Sequence, residues 1–211
     1  MYLQWLGLNC FKITTNDTTL ITDPYDSSTG LNLPRLQANI VTVSNPDEAM
    51  VNNIEKIGGE PYIVSGPGEY EASQVFIRGV VDQVNGQPVQ PGFSTQYYFE
   101  VDKISIAHLG LLNHQISTKA LEVFEGVDVL LIPVGGISSL DPEKASAVIS
   151  QIEPRVIIPM FYASSGLKLK LGNIDAFLKT MGAKDPETTD KLRLLKKDLP
   201  QEDTKIIVLK A

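Results

Sequence analysis

Apolar and polar side chains alternate over 2–15 and again over 18–22, with breaks at Gly7 and at Asn16-Asp17. That alternation is the mark of strands with one buried face, so these residues predict an antiparallel meander. A continuous β-branched run over 39–44 predicts a buried strand. It stops at a polar loop, after which apolar residues at 50, 51, 54 and 57, closed by Gly58-Gly59, predict a helix over 47–57 with Asp47 as its N-cap. Glycines and prolines at Gly66, Pro67, Gly68 and Gly79 cut 61–81 into short strands, and 82–92 reads as a loop. A hairpin over 96–101 and 104–108 turns at Asp102-Lys103.

The second half alternates between the two periods. A helix over 117–124 leads to an apolar strand over 127–132 and a loop at Gly135-Gly136, which is read as a close approach of backbones rather than an anion site. Asp141-Pro142-Glu143 then opens a helix whose apolar residues 145, 148, 149 and 152 share a face. A strand over 156–161, a helix over 174–181 stopped at Gly182, and strands over 191–197 and 204–209 complete the order. There is no internal repeat.

Composition narrows the class. With 211 residues, of which 43% are hydrophobic, the chain suits one domain over 1–211 with a full-sized core. No apolar run approaches the roughly 18 residues of a membrane span, and MYLQWLG lacks the basic start of a signal peptide, so a cytoplasmic protein is expected. The net charge of -7 argues against nucleic acid as partner. The charge is uneven: 1–165 carry 8 basic and 18 acidic residues, whereas 166–211 carry 10 and 7, a basic excess read as a solvated face. The single cysteine, Cys10, lies within an alternating strand and reads as a small buried hydrophobe. No Gly-x-Ser-x-Gly, phosphate-binding loop or dinucleotide fingerprint is present.

Two stretches carry a resemblance. The opening WLGLNCFKITTNDTTLITDPY, through Gly7, Cys10, Phe11, Asp23 and Pro24, and above all the string GPGEYE at 66–71, resemble the small ascorbate-6-phosphate-lactonase-like branch of the metallo-β-lactamase superfamily. The likeness spans essentially the whole chain. It implies an α+β fold, a four-layer αββα sandwich with the site on loops at one edge, so that 45–50, 80–92, 108–114, 135–141 and 161–166 should gather there. It also implies hydrolysis by a hydroxide bridging two zinc or manganese ions.

The residues that would hold those ions are changed. The superfamily's Ser-His-x-His-x-Asp-His loop stands here as Ser44, Asn45, Pro46, Asp47, Glu48, Ala49 and Met50. Asn45 and Asp47 thus occupy histidine positions, Ala49 an aspartate and Met50 a histidine. The string His-Leu-Gly-Asp-Leu-Gly-His stands as His108, Leu109, Gly110, Leu111, Leu112, Asn113 and His114, which puts Leu111 where the bridging aspartate belongs. Phe161 stands for the last histidine, and a further one implied near 80–83 is missing, since no histidine precedes His108. Asp47 is the one donor left, against the three or four that zinc takes.

The expectation is therefore a protein without metal or cofactor, kept as a non-catalytic binding or assembly protein for a small molecule or a protein, with homo-oligomer formation open. The alternative is a hydrolase-like enzyme with a rebuilt or metal-free site, for which Asp47 and His108 are the weak catalytic candidates. His108 is otherwise expected to be a hydrogen-bonded structural histidine, His114 an exposed one, and Met50, Leu111 and Phe161 to be buried together in the emptied cleft.

Overall fold

The computed structural model of the protein describes residues 1–81 and 94–211, and between them the backbone of 83–84 and 87–88. The alternating opening forms β1 (Tyr2–Gly7), β2 (Cys10–Thr14) and β3 (Thr19–Thr22), antiparallel with Leu3 opposite Ile13 and Ile13 opposite Leu20. The β-branched run forms β4 (Ile40–Thr42), parallel to β3, and β5 (Tyr62–Val64) adds parallel to β4.

The chain then crosses to a second sheet. Strands β6 (Gly68–Ala72), β7 (Val75–Val81), β8 (Thr95–Val101) and β9 (Ile104–His108) run antiparallel. Parallel to β9 follow β10 (Val129–Pro133) and β11 (Val156–Met160). Three late strands finish both sheets: β12 (Glu187–Thr189), β13 (Leu192–Arg193) and β14 (Lys205–Leu209). The orders are β13-β1-β2-β3-β4-β5 and β12-β14-β11-β10-β9-β8-β7-β6, and both sheets are mixed. Small ladders join 36–37 to 57–58 and 83–84 to 87–88. The loop expected over 82–92 otherwise lies outside the described residues.

The sheets pack face to face. Tyr97 of β8 donates its hydroxyl to the carbonyl of Val43 at 2.8 Å, and the ring of Phe11 on β2 meets His108 of β9 edge-on at 6.1 Å. Helices α1 (Thr118–Phe124), α2 (Pro142–Ile152) and α3 (Ile174–Thr180) belong to the connections of the second sheet. β10 and β11 are buried along their whole length, as parallel strands covered on both faces must be. α2 forms as its caps predict: Asp141 accepts from the Lys144 N–H at 2.8 Å, and Ala145, Val148, Ile149 and Ile152 are buried. This is the expected α+β sandwich, although the first sheet's strands are linked only by loops and the 3-10 turns Ser27–Thr29 and Ile54–Lys56.

Three local expectations fail. No helix spans 47–57. Of its apolar residues Val51 and Ile57 are buried while Ile54 is 38% exposed, so they do not share one face. Asparagines compete for the backbone instead: Asn45 Oδ1 accepts from the Asp47 N–H at 2.9 Å, Asn52 donates to the Pro46 carbonyl, and Asn53 donates to the Tyr25 carbonyl at 3.1 Å. Asp47 therefore caps no helix. The strand expected over 191–197 is limited to β13 and followed by the 3-10 turn Lys196–Asp198. Finally β12, polar throughout and unforeseen, forms because β14 offers it a parallel edge.

Candidate functional site

Parallel strands end together, so β3, β4, β9, β10 and β11 deliver the residues that follow them to one edge of the sandwich. The gathering is visible in hydrogen bonds between loops. The Thr95 N–H donates to Ser44 O at 2.8 Å, the Leu111 N–H to Ser94 Oγ at 2.9 Å, the Phe161 N–H to Leu8 O at 3.1 Å and the Gly172 N–H to Gly135 O at 2.6 Å. Two glycines are required by this closeness. A Cβ at Gly110, where φ is +54°, would stand 2.6 Å from Ser44 Oγ, and one at Gly135 would stand 2.2 Å from Phe161 O.

The centre of this edge is a buried polar knot. Asp23, which ends β3 with φ of 42°, accepts from both the N–H and the hydroxyl of Ser44, each at 2.6 Å. Burial raises its carboxyl to about 7 against the lowering effect of those two bonds. His108 is fully buried; its Nε2 lies 2.9 Å from Asn9 O, and its Nδ1 accepts from the Gly110 N–H at 3.3 Å. One nitrogen thus donates and the other accepts, which defines a neutral ring with its proton on Nε2, and burial accordingly lowers its pKa to about 4. Asp23 Oδ2 is 4.0 Å from Nε2, but a neutral imidazole makes no ion pair. Thr22 completes the knot by donating to Asn9 O at 2.8 Å.

Serine, histidine and aspartate here do not form a triad in which histidine activates the serine. The Ser44 hydroxyl donates to Asp23 and the His108 ring N–H to a backbone carbonyl, so His108 does not act on Ser44. Cys10 is buried beside them, and burial, followed by the Asp23 charge, pushes its thiol well up. The knot stitches β2, β3, β4 and β9 together through these hydrogen bonds, although the fully buried side chain of Asn9 has no hydrogen-bond partner among the described residues.

The sequence-predicted positions lie around it. Asn45 is buried with its amide oxygen turned back on its own loop. Asp47 and Ala49 are exposed. Met50 and Leu111 are half-buried, less than expected, and pack against the core to which Phe161, 1% exposed, belongs. His114 is half-buried rather than exposed and lies 3.0 Å from Asn113 Oδ1. Asp47 and His108, paired as candidate acid and base, are separated by environment, since Asp47 is on the surface and His108 has no surface at all.

A dinuclear zinc or manganese centre does not fit these residues. The side chains at the positions where the resemblance implies ligands are an amide already engaged, one exposed carboxylate, three aliphatic or thioether groups and a buried phenyl ring. Among the described residues no three His, Cys, Asp or Glu side chains converge on a point. Sequence reasoning missed Ser44, Asn9 and Ser94 as organisers of the edge. Asp23 was legible through the resemblance, as the acid before Pro24; its side-chain partner Ser44 lies 21 residues away and carries no local pattern.

Comparison with known proteins bears on the fold. Residues 2–161 match the sequence model described as a beta-lactamase superfamily domain. A UPF0173 protein of Pyrococcus abyssi is 27% identical over 79% of this chain and 85% of its own length. A UPF0173 metal-dependent hydrolase of Listeria welshimeri is 22% identical over 77% and 85%. A solved chain from Thermotoga maritima, described as a candidate zinc-dependent hydrolase of the metallo-beta-lactamase superfamily, superposes with a TM-score of 0.81 at 30% identity, over 99% of this chain and 97% of that one.

Proposed function

The chain belongs to the metallo-β-lactamase superfamily, and on that premise we propose that it is a member that has given up the dinuclear metal centre and serves as a non-catalytic binding or assembly protein. The observation that carries this reading is Phe161. Where the resemblance puts the superfamily's last histidine stands a phenyl ring packed into the core, and His108 is neutral and internally bonded. We further assign the chain, on the GPGEYE turn at 66–71, to the ascorbate-6-phosphate-lactonase-like branch, and place the protein in the cytoplasm. Its partner is a small molecule or a protein.

A second reading rests on the relatives named as metal-dependent hydrolases, 85% of whose length the chain covers. On that reading a rebuilt site uses Asp47, the one exposed carboxylate at a former ligand position. Elemental analysis of protein purified without chelator separates the two. The proposal expects no stoichiometric zinc, manganese or iron; about one metal ion per chain, lost in Asp47→Ala, supports the rebuilt site.

A further inference from the structure

A cavity of about 480 Å³ is lined by residues of β1 in the first sheet and β14 in the second, beside the loop that follows β11. Three of its lining residues carry aromatic rings, Trp5, Tyr25 and Tyr162, and the Trp5 and Tyr162 centroids lie 4.8 Å apart. Each ring has its polar atom turned to backbone. Trp5 Nε1 donates to Leu8 O at 2.8 Å, the Tyr25 hydroxyl to Leu6 O at 2.5 Å and the Tyr162 hydroxyl to Leu209 O at 3.3 Å. What the rings leave for a ligand is therefore carbon. Leu6, Leu31 and Val208, all half-buried, extend that apolar wall toward solvent.

Charge at this cavity runs against that of the molecule as a whole. The chain holds 25 acidic and 18 basic residues, yet no acidic side chain lines the cavity and one basic side chain does, that of Lys210. Lys210 is exposed and has no ion-pair partner among the described residues. We propose that the cavity binds a small aromatic carboxylate, its ring against the apolar wall and its carboxylate toward Lys210. The volume lies within the roughly 300–1,000 Å³ of small-molecule sites, and an apolar wall with one charged group at the rim is their usual chemistry. A neutral ring would leave the Lys210 charge unused, and an aliphatic acid would forgo the aromatic contact. The inference rests on the small-molecule arm of the reading above and names the chemistry of that molecule.

The chain's single tryptophan makes the test local, because Trp5 gives the one indole N–H signal of the intact protein in a proton–nitrogen NMR spectrum. Titration with 2-naphthoate should shift that signal saturably, with a dissociation constant of about 1 mM or tighter, as ordinary ligand efficiency gives for a molecule of this size. 2-Naphthamide, the same ring without the charge, should bind about threefold more weakly. Lys210→Gln should abolish that difference and leave the melting temperature unchanged, because Lys210 is a surface residue. Decahydro-2-naphthoate, the same charge without the aromatic ring, should also bind about threefold more weakly. A Trp5 signal that does not move overturns the proposal, as does equal binding of 2-naphthoate with either comparator. If the protein then also proves free of metal, the non-catalytic reading stands and this inference alone falls.

Discussion

Phe161 and the Asp23–His108 knot show how single residues set the properties of this edge. Phe161 is buried and holds φ of 54°, so it fills volume at a sharp turn out of β11. Phe161→Ala should cost about 3–5 kcal/mol, the range for large-to-small changes in a core. Phe161→His should also lose stability, by burying an imidazole with no designed partner, and should bind no metal. Urea denaturation reads both; variants as stable as the parent would mean that the cleft is open. The knot predicts a pH effect with two opposed parts. Asp23, raised from 3.8 to about 7, keeps a proton that the unfolded chain releases, so its contribution falls as pH rises through that window. His108, lowered from 6.5 to about 4, refuses a proton that the unfolded chain takes up, so its contribution falls as pH drops from 6.5 toward 4. Over the shared range they oppose each other. Asp23→Asn removes the first alone, and its stability should decline more steeply than the parent's between pH about 7 and about 4.5 in urea titrations. Equal slopes would show that Asp23 titrates as an ordinary carboxylate.

At the scale of elements, the hairpin at Asp102-Lys103 and the stretch 47–57 mark what could and could not be read from sequence. The hairpin was legible because two alternating runs flank a two-residue turn, and both turn residues adopt positive φ, 51° and 63°. Lysine is poorly suited to that region, so Lys103→Gly should stabilise the protein by up to about 1 kcal/mol, read as a rise in melting temperature. An unchanged or lower value would show that the Lys103 side chain makes an offsetting contact. α2 was equally legible from Asp141-Pro142-Glu143. In 47–57 the helical period was present, but Asn45, Asn52 and Asn53 bond to the backbone locally and to the turn after β3, and that tertiary contact decides the conformation. The polar β12 had no pattern to read, since its partner is what makes it a strand.

On the scale of the whole molecule, the order of strands and helices and the GPGEYE string carried the superfamily, and the parallel strands β3, β4, β9, β10 and β11 brought the loops expected at 45–50, 108–114, 135–141 and 161–166 to a common edge, the one expected at 80–92 lying largely outside the described residues. The organisation of the edge was not visible along the chain, because the contacts of Ser44 with Asp23, of His108 with Asn9 and of Ser94 with Leu111 join residues far apart in sequence. On the reading proposed above, a fold held closed by such contacts is stable without metal. Thermal unfolding of the purified protein, alone, with EDTA and with excess Zn²⁺ or Mn²⁺, tests this most directly. Bound metal at about 1,000 times its dissociation constant would add about 4 kcal/mol and raise the melting temperature by several degrees. The account predicts the same melting temperature under all four conditions; a fall with EDTA that Zn²⁺ or Mn²⁺ restores would contradict it.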